Sequence, residues 1–295
     1  MSTPTTMPLS AAKISDVVTG WLKDIKLIFD VHRHELAKGT LEKIRKADHT
    51  YVTRADLEID QYVCERLEHY FPDHQVMSEE RADDFNWNPD NPYLWVMDPI
   101  DGTHEFMNTK SNYYGLSLAL YYNRQPVFAL VYAPHLPQAD AESSLYLMHS
   151  ELPQATLNGK PISVVKNISL DQVRGQINIS SANPKYELAL TKNYPHFEKH
   201  YPRALALHLC EVAASGTFSH ACLFTQTTPK FWDMAAAMYI ATGAGALVAD
   251  LKGRTQYPVS FLDVTDHKFR IPSLLVGDEA IVKQVANFLS QNGLN

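Results

Sequence analysis

The stretch Asp98–Thr103, which reads DPIDGT, decides how this chain is interpreted. It follows the apolar run 93–97, which has the composition of a buried strand, so its two carboxylates are expected at the end of that strand. Acids this close together repel each other unless a cation lies between them, and carboxylates with backbone carbonyls suit Mg²⁺ or Mn²⁺. Gly102 permits a sharp turn, and Thr103 offers a hydroxyl and a backbone N–H of the kind that binds phosphate. By itself, the stretch predicts a metal and phosphate site.

The composition limits the classes of protein to which the chain can belong. Its 295 residues, 45% hydrophobic and 20% charged, are ordinary for a globular protein with a sizeable core. A formal net charge of −7 argues against non-specific nucleic-acid binding, which needs a basic surface. The sequence has neither a signal-peptide pattern nor a run of roughly 18 apolar residues that could span a membrane. We therefore expect a cytoplasmic protein that binds neither nucleic acid nor membrane.

The first half of the chain combines helical patterns with strands. Residues 1–11 are rich in Ser, Thr and Pro, and we expect them to form a flexible tail. Apolar residues at helical spacing predict one helix over about 12–37, with Ser10 as its cap, and another over about 54–70. After the central stretch, apolar runs on either side of the 123–125 turn predict an antiparallel hairpin.

Strands and helices alternate in the second half, which predicts a layered α/β unit. No linker or low-complexity segment separates it from the first half. We expect a single domain over 12–295, with an antiparallel-sheet half at about 12–165 and a smaller α/β half at about 166–295. The turn at Asn158-Gly159 is expected to join 155–157 to a strand at 162–165.

Further acidic residues lie outside the central stretch, and each has an ordinary structural explanation when taken alone. The Glu79-Glu80 pair follows a short apolar run, and adjacent acids on a loop are usually solvated. Asp233 precedes an alanine-rich helix, where it could act as an N-cap. Asp56 falls in the first turn of the second predicted helix. An acid there interacts favourably with the helix dipole and stabilises the helix by about 0.3–1 kcal/mol.

Taken together and in order, these motifs resemble one family. Glu79-Glu80, then DPIDGT, then Trp232-Asp233 before a small-residue helix are similar to the inositol monophosphatase superfamily, whose members are Mg²⁺-dependent and often lithium-sensitive phosphomonoesterases. The resemblance runs from about Ala12 to the C-terminus. It implies the α-β-α-β-α sandwich of inositol monophosphatases and fructose-1,6-bisphosphatases, an α/β layered fold that is often a homodimer.

The resemblance also implies a role for each motif residue. The ligands implied for one Mg²⁺ are Glu79, Asp98 and the Ile100 carbonyl, and those for a second are Asp98, Asp101 and Asp233. Asp56 would lie at a weaker third position, and Mn²⁺ could replace Mg²⁺. The implied catalytic residues are Glu79, Thr103 and Asp56, and the implied phosphate-binding residues are Asp101, Gly102 and Thr103. Two such cations, roughly 3.5–4 Å apart, can activate water and hold both oxygens of an in-line displacement.

The expected substrate pocket departs from the family pattern. Ala204-Leu205 stand where relatives often carry Gly-Ser, so the weak candidates for substrate contacts are His104, Ala204 and Gln226. The leading interpretation is inositol-monophosphatase-like hydrolysis of a small-molecule phosphate monoester. Glu105-Phe106 and Ser78 resemble the 3′(2′),5′-bisphosphate nucleotidase branch, which is the first alternative. The second alternative is a non-catalytic or regulatory member that binds a protein partner.

Overall fold

A computed structural model describes residues 9–46, 51–138, 141–166, 169–172, 175–178, 185–195, 197–200, 204–214, 221–224, 229–258 and 270–294. The helices are α1 (Ala11–Thr19), α2 (Leu22–Lys38), α3 (Arg54–Tyr70), α4 (Thr103–Phe106), α5 (Lys185–Asn193), α6 (Leu205–Ala213), α7 (Phe231–Gly243) and α8 (Glu279–Gln291). Two 3₁₀ helices span Glu79–Asp84 and Leu170–Gln172.

The strands form two large sheets and one short hairpin. They are β1 (Lys43–Arg45), β2 (Tyr51–Thr53), β3 (Gln75–Ser78), β4 (Tyr93–Asp101), β5 (Gly115–Tyr122), β6 (Gln125–Ala133), β7 (Ser144–His149), β8 (Thr156–Leu157), β9 (Lys160–Pro161), β10 (Gly175–Asn178), β11 (Phe197–His200), β12 (Ala221–Phe224), β13 (Leu247–Ala249) and β14 (Leu275–Gly277). The seven-stranded sheet runs in sequence order from β3 to β9, and the five-stranded sheet has the order β11-β10-β12-β14-β13.

Helices and sheets stack as five layers, which confirms the predicted α-β-α-β-α sandwich. Helices α1, α2 and α3 cover one face of the seven-stranded sheet, and α6 and α7 pack between the two sheets. Helix α8 covers the far face of the five-stranded sheet. Most neighbouring strands of the larger sheet are antiparallel, but β3 and β4 are parallel. Because β3 and β4 are parallel, their carboxyl ends lie at the same edge of the sheet, and acidic residues lie at both of these ends.

Strand β4 is buried on both faces, which explains its continuous apolar sequence. Because side chains alternate across a strand, Leu94 and Val96 contact the central layer of α6 and α7, whereas Trp95 and Met97 contact the N-terminal helices. The central cluster also contains Val276 of β14, so one apolar core joins residues from both halves of the chain. The division into a tail and a single domain stays a prediction, although this shared core is consistent with it.

The structure differs from the sequence-based prediction at the N-terminus. Residues 1–8 of the expected tail lie outside the described residues, whereas Ala11, also assigned to the tail, is fully buried in the first turn of α1. The predicted helix over 12–37 is two helices, separated at Gly20-Trp21. Glycine has a poor helix propensity, and the apolar spacing continues across the break, so periodicity alone could not reveal it. The predicted Ser10 cap is confirmed, since its Oγ accepts from the Lys13 N–H.

Several strands differ from the sequence-based prediction. The expected strand at 162–165 is absent from the described structure, where β8 and β9 form a two-residue hairpin around the Asn158-Gly159 turn. One more hydrogen bond, from the Ile162 N–H to the Ala155 carbonyl, follows Pro161, and the Val164 N–H then donates to the Ala244 carbonyl after α7 instead of to the hairpin. Strands β11 and β14 were not predicted. None of the described helices combines the length and the apolar character needed to cross a membrane.

Candidate metal and phosphate site

The parallel pairing of β3 with β4 brings two of the acids together. Ser78 lies opposite Met97 in this pairing, so the next residues, Glu79 and Asp98, leave the same edge of the sheet side by side. Asp233 reaches them from the first turn of α7, which packs against β4. One carboxylate oxygen from each of these three acids lies within 4.8 Å of the others. Glu79, Asp98 and Asp233, which the family resemblance implied as metal ligands, therefore lie close together and are called the triplet below.

An irregularity in β4 allows both acids of DPIDGT to point into the site. Asp98 pairs with Ser117 and Asp101 with Gly115, and the register shifts between them. The Asp98 carboxylate accepts a hydrogen bond from the Ile100 N–H at 3.0 Å, which stabilises the local turn. Asp98 and Asp101 are each only 3% exposed. Gly102 then adopts a left-handed conformation with φ of 89°, which glycine accommodates without strain, and α4 begins at Thr103.

Asp56 connects the start of α3 to Thr103. Its Oδ2 accepts from the Thr53 N–H at 2.8 Å and from the Thr53 hydroxyl at 2.6 Å, which caps the helix. Its Oδ1 lies 3.0 Å from the Thr103 Oγ1, which is also 3.2 Å from the Ile100 carbonyl oxygen. Asp56 thus caps α3 from the first turn of the helix, and it also contacts Thr103 of the DPIDGT stretch.

Asp101 faces the N-terminus of α6. Its Oδ2 accepts from the Leu207 N–H at 3.2 Å, so this carboxylate satisfies a backbone donor that a helix cannot satisfy internally. Ala204, the residue immediately before α6, has no side-chain oxygen with which to cap the helix. The departure from Gly-Ser noted in the sequence is therefore compatible with an ordered helix start, because Asp101 acts as the cap from another element.

The comparisons with known proteins agree with this geometry. Residues 12–288 match the sequence profile of the inositol monophosphatase family. The chain belongs to this family. An inositol monophosphatase of Dictyostelium discoideum is 29% identical over 208 residues, covering 68% of this chain and 72% of the relative. The 3′(2′),5′-bisphosphate nucleotidase CysQ of Escherichia coli is 27% identical over 224 residues, covering 72% of this chain and 82% of that protein.

A solved structure of the inositol monophosphatase family shares the fold. The crystal structure of an IMPase/NADP phosphatase complexed with NADP and Ca²⁺ superposes with a TM-score of 0.78 at 24% identity. The match covers 97% of this chain and 98% of that protein. The likeness therefore extends over both sheets and all layers.

Lys46 contacts two acids of the candidate site, a contact that the sequence did not indicate. Its Nζ lies 3.0 Å from a carboxylate oxygen of Glu79 and 3.0 Å from one of Glu80. These two acids hold the pKa of the Lys46 ammonium above its usual value, although its partial burial acts in the opposite direction. Nothing in the spacing between Lys46 and the acids signals this contact, because the β1–β2 hairpin brings the lysine back over the sheet edge.

Burial and mutual repulsion raise the pKa of most acids in the site. Burial is the largest cause for Asp98 and Asp233, whose pKa values are raised well above the usual range, and the neighbouring Glu79 adds to both. Burial also raises the pKa of Asp56 to about 6 and that of Asp101 to about 7. So many buried acids sharing one space destabilise their own charged forms. This donor set, made entirely of oxygen atoms, fits a hard divalent cation.

The weak candidates for substrate contacts differ in how accessible they are to solvent. His104 is exposed in α4, while Ala204 is fully buried, so its methyl group is not presented to solvent. The neighbouring Leu205 is partly exposed. Gln226 lies outside the described residues. Lys230, at the start of α7, places its ammonium 5.1 Å from the centre of the Trp232 ring, a cation–π distance.

Proposed function

We propose that this protein hydrolyses a small-molecule phosphate monoester in a Mg²⁺-dependent reaction of the inositol monophosphatase type. The observation that carries the proposal is the group of three acids Glu79, Asp98 and Asp233, of which Asp98 is buried and the other two are partly buried, with oxygens within 4.8 Å of one another. Lys46 contacts Glu79, but the clustered carboxylates still repel one another when charged, so a bound cation best explains the cluster. Family membership supports the same reaction class.

The residues of the site fit the metal ions that the family implies. Glu79, Asp98 and the Ile100 carbonyl would hold one Mg²⁺, and Asp98, Asp101 and Asp233 a second. Asp56 would contribute to a weaker third position, since both of its oxygens already accept hydrogen bonds. When bound, these ions neutralise phosphate charge and make water more acidic, and Mn²⁺ could supply the same chemistry.

The side chains around the triplet have their own proposed tasks. Glu79 and Thr103 would orient the attacking water and help to deprotonate it. Asp56 would accept a hydrogen bond from the Thr103 hydroxyl, which leaves the lone pairs of that oxygen facing the water. The backbone N–H groups of Gly102 and Thr103 would bind phosphate oxygens. Water would attack phosphorus in line with the bond to the alcohol oxygen and give up a proton as the new P–O bond forms. The P–O bond to the alcohol breaks, and the departing oxygen takes up a proton from water, so that phosphate and the alcohol are the products.

A 3′(2′),5′-bisphosphate nucleotidase is the second candidate. The observation that favours it is the similarity to CysQ, at 27% identity over 224 residues, close to the value for the Dictyostelium inositol monophosphatase. Glu105-Phe106 and Ser78 agree with that branch. Both candidates use the same metal site and differ in the leaving group. We further propose a cytoplasmic homodimer, by resemblance to the family.

Phosphate release in Mg²⁺ against a panel of substrates tests the proposal. The panel should contain inositol monophosphates, 3′(2′),5′-bisphosphate nucleotides, NADP, sugar phosphates and histidinol phosphate. We expect turnover of at least one compound, its loss on adding EDTA, and its recovery with Mg²⁺. In Asp98→Asn we expect kcat to fall by about two orders of magnitude or more, because the substitution weakens the charge that holds the cation.

Two outcomes would contradict the assignment in different ways. A folded wild-type protein with no turnover on any panel member would argue against an enzyme and favour the protein-binding alternative. Full activity in the Asp98→Asn variant would leave the reaction class standing and reject the metal ligands. The ratio of kcat/KM between inositol monophosphates and bisphosphate nucleotides decides between the two candidates.

A further inference from the structure

A second buried acid lies on α3, one helical turn beyond Asp56. Asp60 is 4% exposed and stands outside the Glu79–Asp98–Asp233 triplet. Its Oδ1 accepts a hydrogen bond from the Ser78 Oγ at 2.5 Å, and its Oδ2 accepts one from the Arg81 Nε at 2.6 Å. Each oxygen of this carboxylate therefore serves a different residue of the segment that carries Glu79.

The two partners of Asp60 lie on either side of Glu79 in the chain. Ser78 is the last residue of β3 and is completely buried, and Arg81 lies two residues beyond Glu79 in the 3₁₀ helix Glu79–Asp84. No residue of this short helix is fully buried, and its apolar packing is limited to the partly buried Ala82, which contacts the central cluster. Hydrogen bonds from both flanks to one carboxylate therefore restrain the backbone from which the Glu79 side chain extends.

The chemistry of this contact requires a carboxylate. The Ser78 hydroxyl and the Arg81 guanidinium each use a separate oxygen of Asp60, and the Cys64 thiol is a weaker third donor to Oδ1 at 3.8 Å. Charge-assisted hydrogen bonds such as those from Ser78 and Arg81 are stronger than neutral ones. An asparagine has one acceptor oxygen, so it could accept from Ser78 or Arg81 but not serve both through equivalent atoms. Its amide N–H₂ would then face the second donor.

We propose that Asp60 is a positioning residue that orients Glu79 for metal binding by anchoring Ser78 and Arg81. The inference rests on the proposed function, in which Glu79 is a metal ligand. Residues that orient ligands in this way typically change metal affinity or activity by about 10- to 100-fold when they are replaced. A single helix, α3, would thus set two parts of the site, Asp56 directly and Glu79 through Asp60.

Metal binding by the apoprotein tests this role without relying on turnover. Mn²⁺ titrations followed by calorimetry or electron paramagnetic resonance should compare the wild type with Asp60→Asn, Ser78→Ala and Arg81→Gln. We expect Asp60→Asn to weaken Mn²⁺ binding by about tenfold or more, and each flanking variant by a smaller factor, because each removes one of the two anchors. Thermal unfolding of the same samples measures stability separately.

The chain offers a matched control on the same helix. Arg66 of α3 pairs with Asp24 of α2 at 3.8 Å, so Arg66→Gln removes an arginine–aspartate contact of α3 that does not involve Glu79 or its neighbours. We expect this variant to bind Mn²⁺ with wild-type affinity. Arg81→Gln and Arg66→Gln make the same chemical change, so a difference between them reports position rather than lost charge.

The outcomes separate this inference from the proposed function. Folded Asp60→Asn, Ser78→Ala and Arg81→Gln proteins with wild-type Mn²⁺ affinity would overturn the positioning role, even if their melting temperatures fall, while leaving the phosphatase proposal intact. If Asp60→Asn does not fold, weakened binding in the two flanking variants supports the role and unchanged binding overturns it. A wild-type protein that fails to bind Mn²⁺ would overturn the proposed function itself, and this role with it.

Discussion

Lys46 places a positive charge next to two acids of the candidate site. Its ammonium contacts both Glu79 and Glu80, and it is half-buried, so water screens the interaction only in part. A divalent cation that binds Glu79 must compete with this lysine for the same carboxylate. We therefore expect Lys46 to stabilise the apoprotein and to oppose metal binding.

The substitution Lys46→Gln should separate these two effects. We expect the melting temperature of the apoprotein to fall, because Glu79 and Glu80 lose their cationic partner, and Mn²⁺ affinity to rise by about threefold or more, since a repelling positive charge is removed. Calorimetric titration and thermal unfolding measure the two quantities. Lys26→Gln, which removes an ion pair with Asp30 within α2, is the control. Weaker Mn²⁺ binding in Lys46→Gln would contradict this account.

The raised pKa values of the site acids predict how the stability of the apoprotein depends on pH. Burial raises the pKa of Asp56 to about 6 and that of Asp101 to about 7, above the ordinary value of 3.8. The folded apoprotein thus holds these protons more tightly than the unfolded chain, so the stabilisation is complete at low pH. It is lost as pH rises through about 6 and 7.

We therefore expect the melting temperature measured in EDTA to fall between pH 5 and pH 8. Saturating Mg²⁺ should restore most of the loss at pH 8 and change little at pH 5, where protonated acids bind metal poorly. Asp56→Asn removes one titrating group and should make the decline with pH shallower. A melting temperature in EDTA that rises steadily over this range in the wild type, with no change of slope in the variant, would refute the assignment.

At the scale of elements, the register of β5 against its neighbours leaves no room beside Gly115. A Cβ added there would lie 2.3 Å from the carbonyl oxygen of Tyr132 in β6. This oxygen belongs to the backbone of the sheet, so it cannot move aside as the end of a flexible side chain could. Gly115 is also the pairing partner of Asp101 in β4. The glycine thus allows three strands to approach closely where the site is built.

Gly115→Ala should destabilise the protein by about 3 kcal/mol, because neither backbone can move without breaking strand pairing. Because the strain falls beside Asp101, Mn²⁺ binding should weaken as well. Urea unfolding measures the free energy. Gly39→Ala is the control, since Gly39 has a φ of 72° with open space around its Cβ position, and only about 1 kcal/mol of backbone strain is expected. Equal losses of unfolding free energy in the two variants would show that the close approach to Tyr132 does not contribute to the destabilisation.

The whole molecule is organised around one central apolar cluster. Residues of β4 and β6 in the larger sheet and of β14 in the smaller sheet meet α6 and α7 in this cluster. For example, Val131, Met234 and Val276 are all fully or almost fully buried there. A shared core of this kind couples the stability of the two sheets.

We accordingly expect urea to unfold the protein in one transition, despite its 295 residues. Far-UV circular dichroism reports both halves. Fluorescence reports all four tryptophans, which include Trp95 under the N-terminal helices and Trp232 in the central cluster. The two signals should coincide, and Met234→Ala should shift both to lower urea by the same amount. A two-step curve, with one half unfolding first, would instead indicate two independent domains.

Local sequence was enough to predict much of the fold and the types of residue at the site. The helix over Arg54–Tyr70 and the β5–β6 hairpin follow from apolar periodicity and turn chemistry, both of which act over short distances along the chain. DPIDGT predicted a strand end, a turn and an oxygen-rich site, and the structure places a register shift and a left-handed Gly102 there.

Only the tertiary structure decided which side chains meet. Asp233 is more than 130 residues from Asp98 in the chain and reaches it because α7 packs on β4. The contacts of Lys46 with Glu79, of Asp60 with Ser78 and Arg81, and of Asp101 with α6 have no local signal either. Periodicity and turn propensity are properties of neighbouring residues, whereas these contacts depend on how separate layers bury their apolar faces against each other. The sequence alone thus determined the chemistry available to this protein, and the packing of five layers decided where that chemistry is assembled.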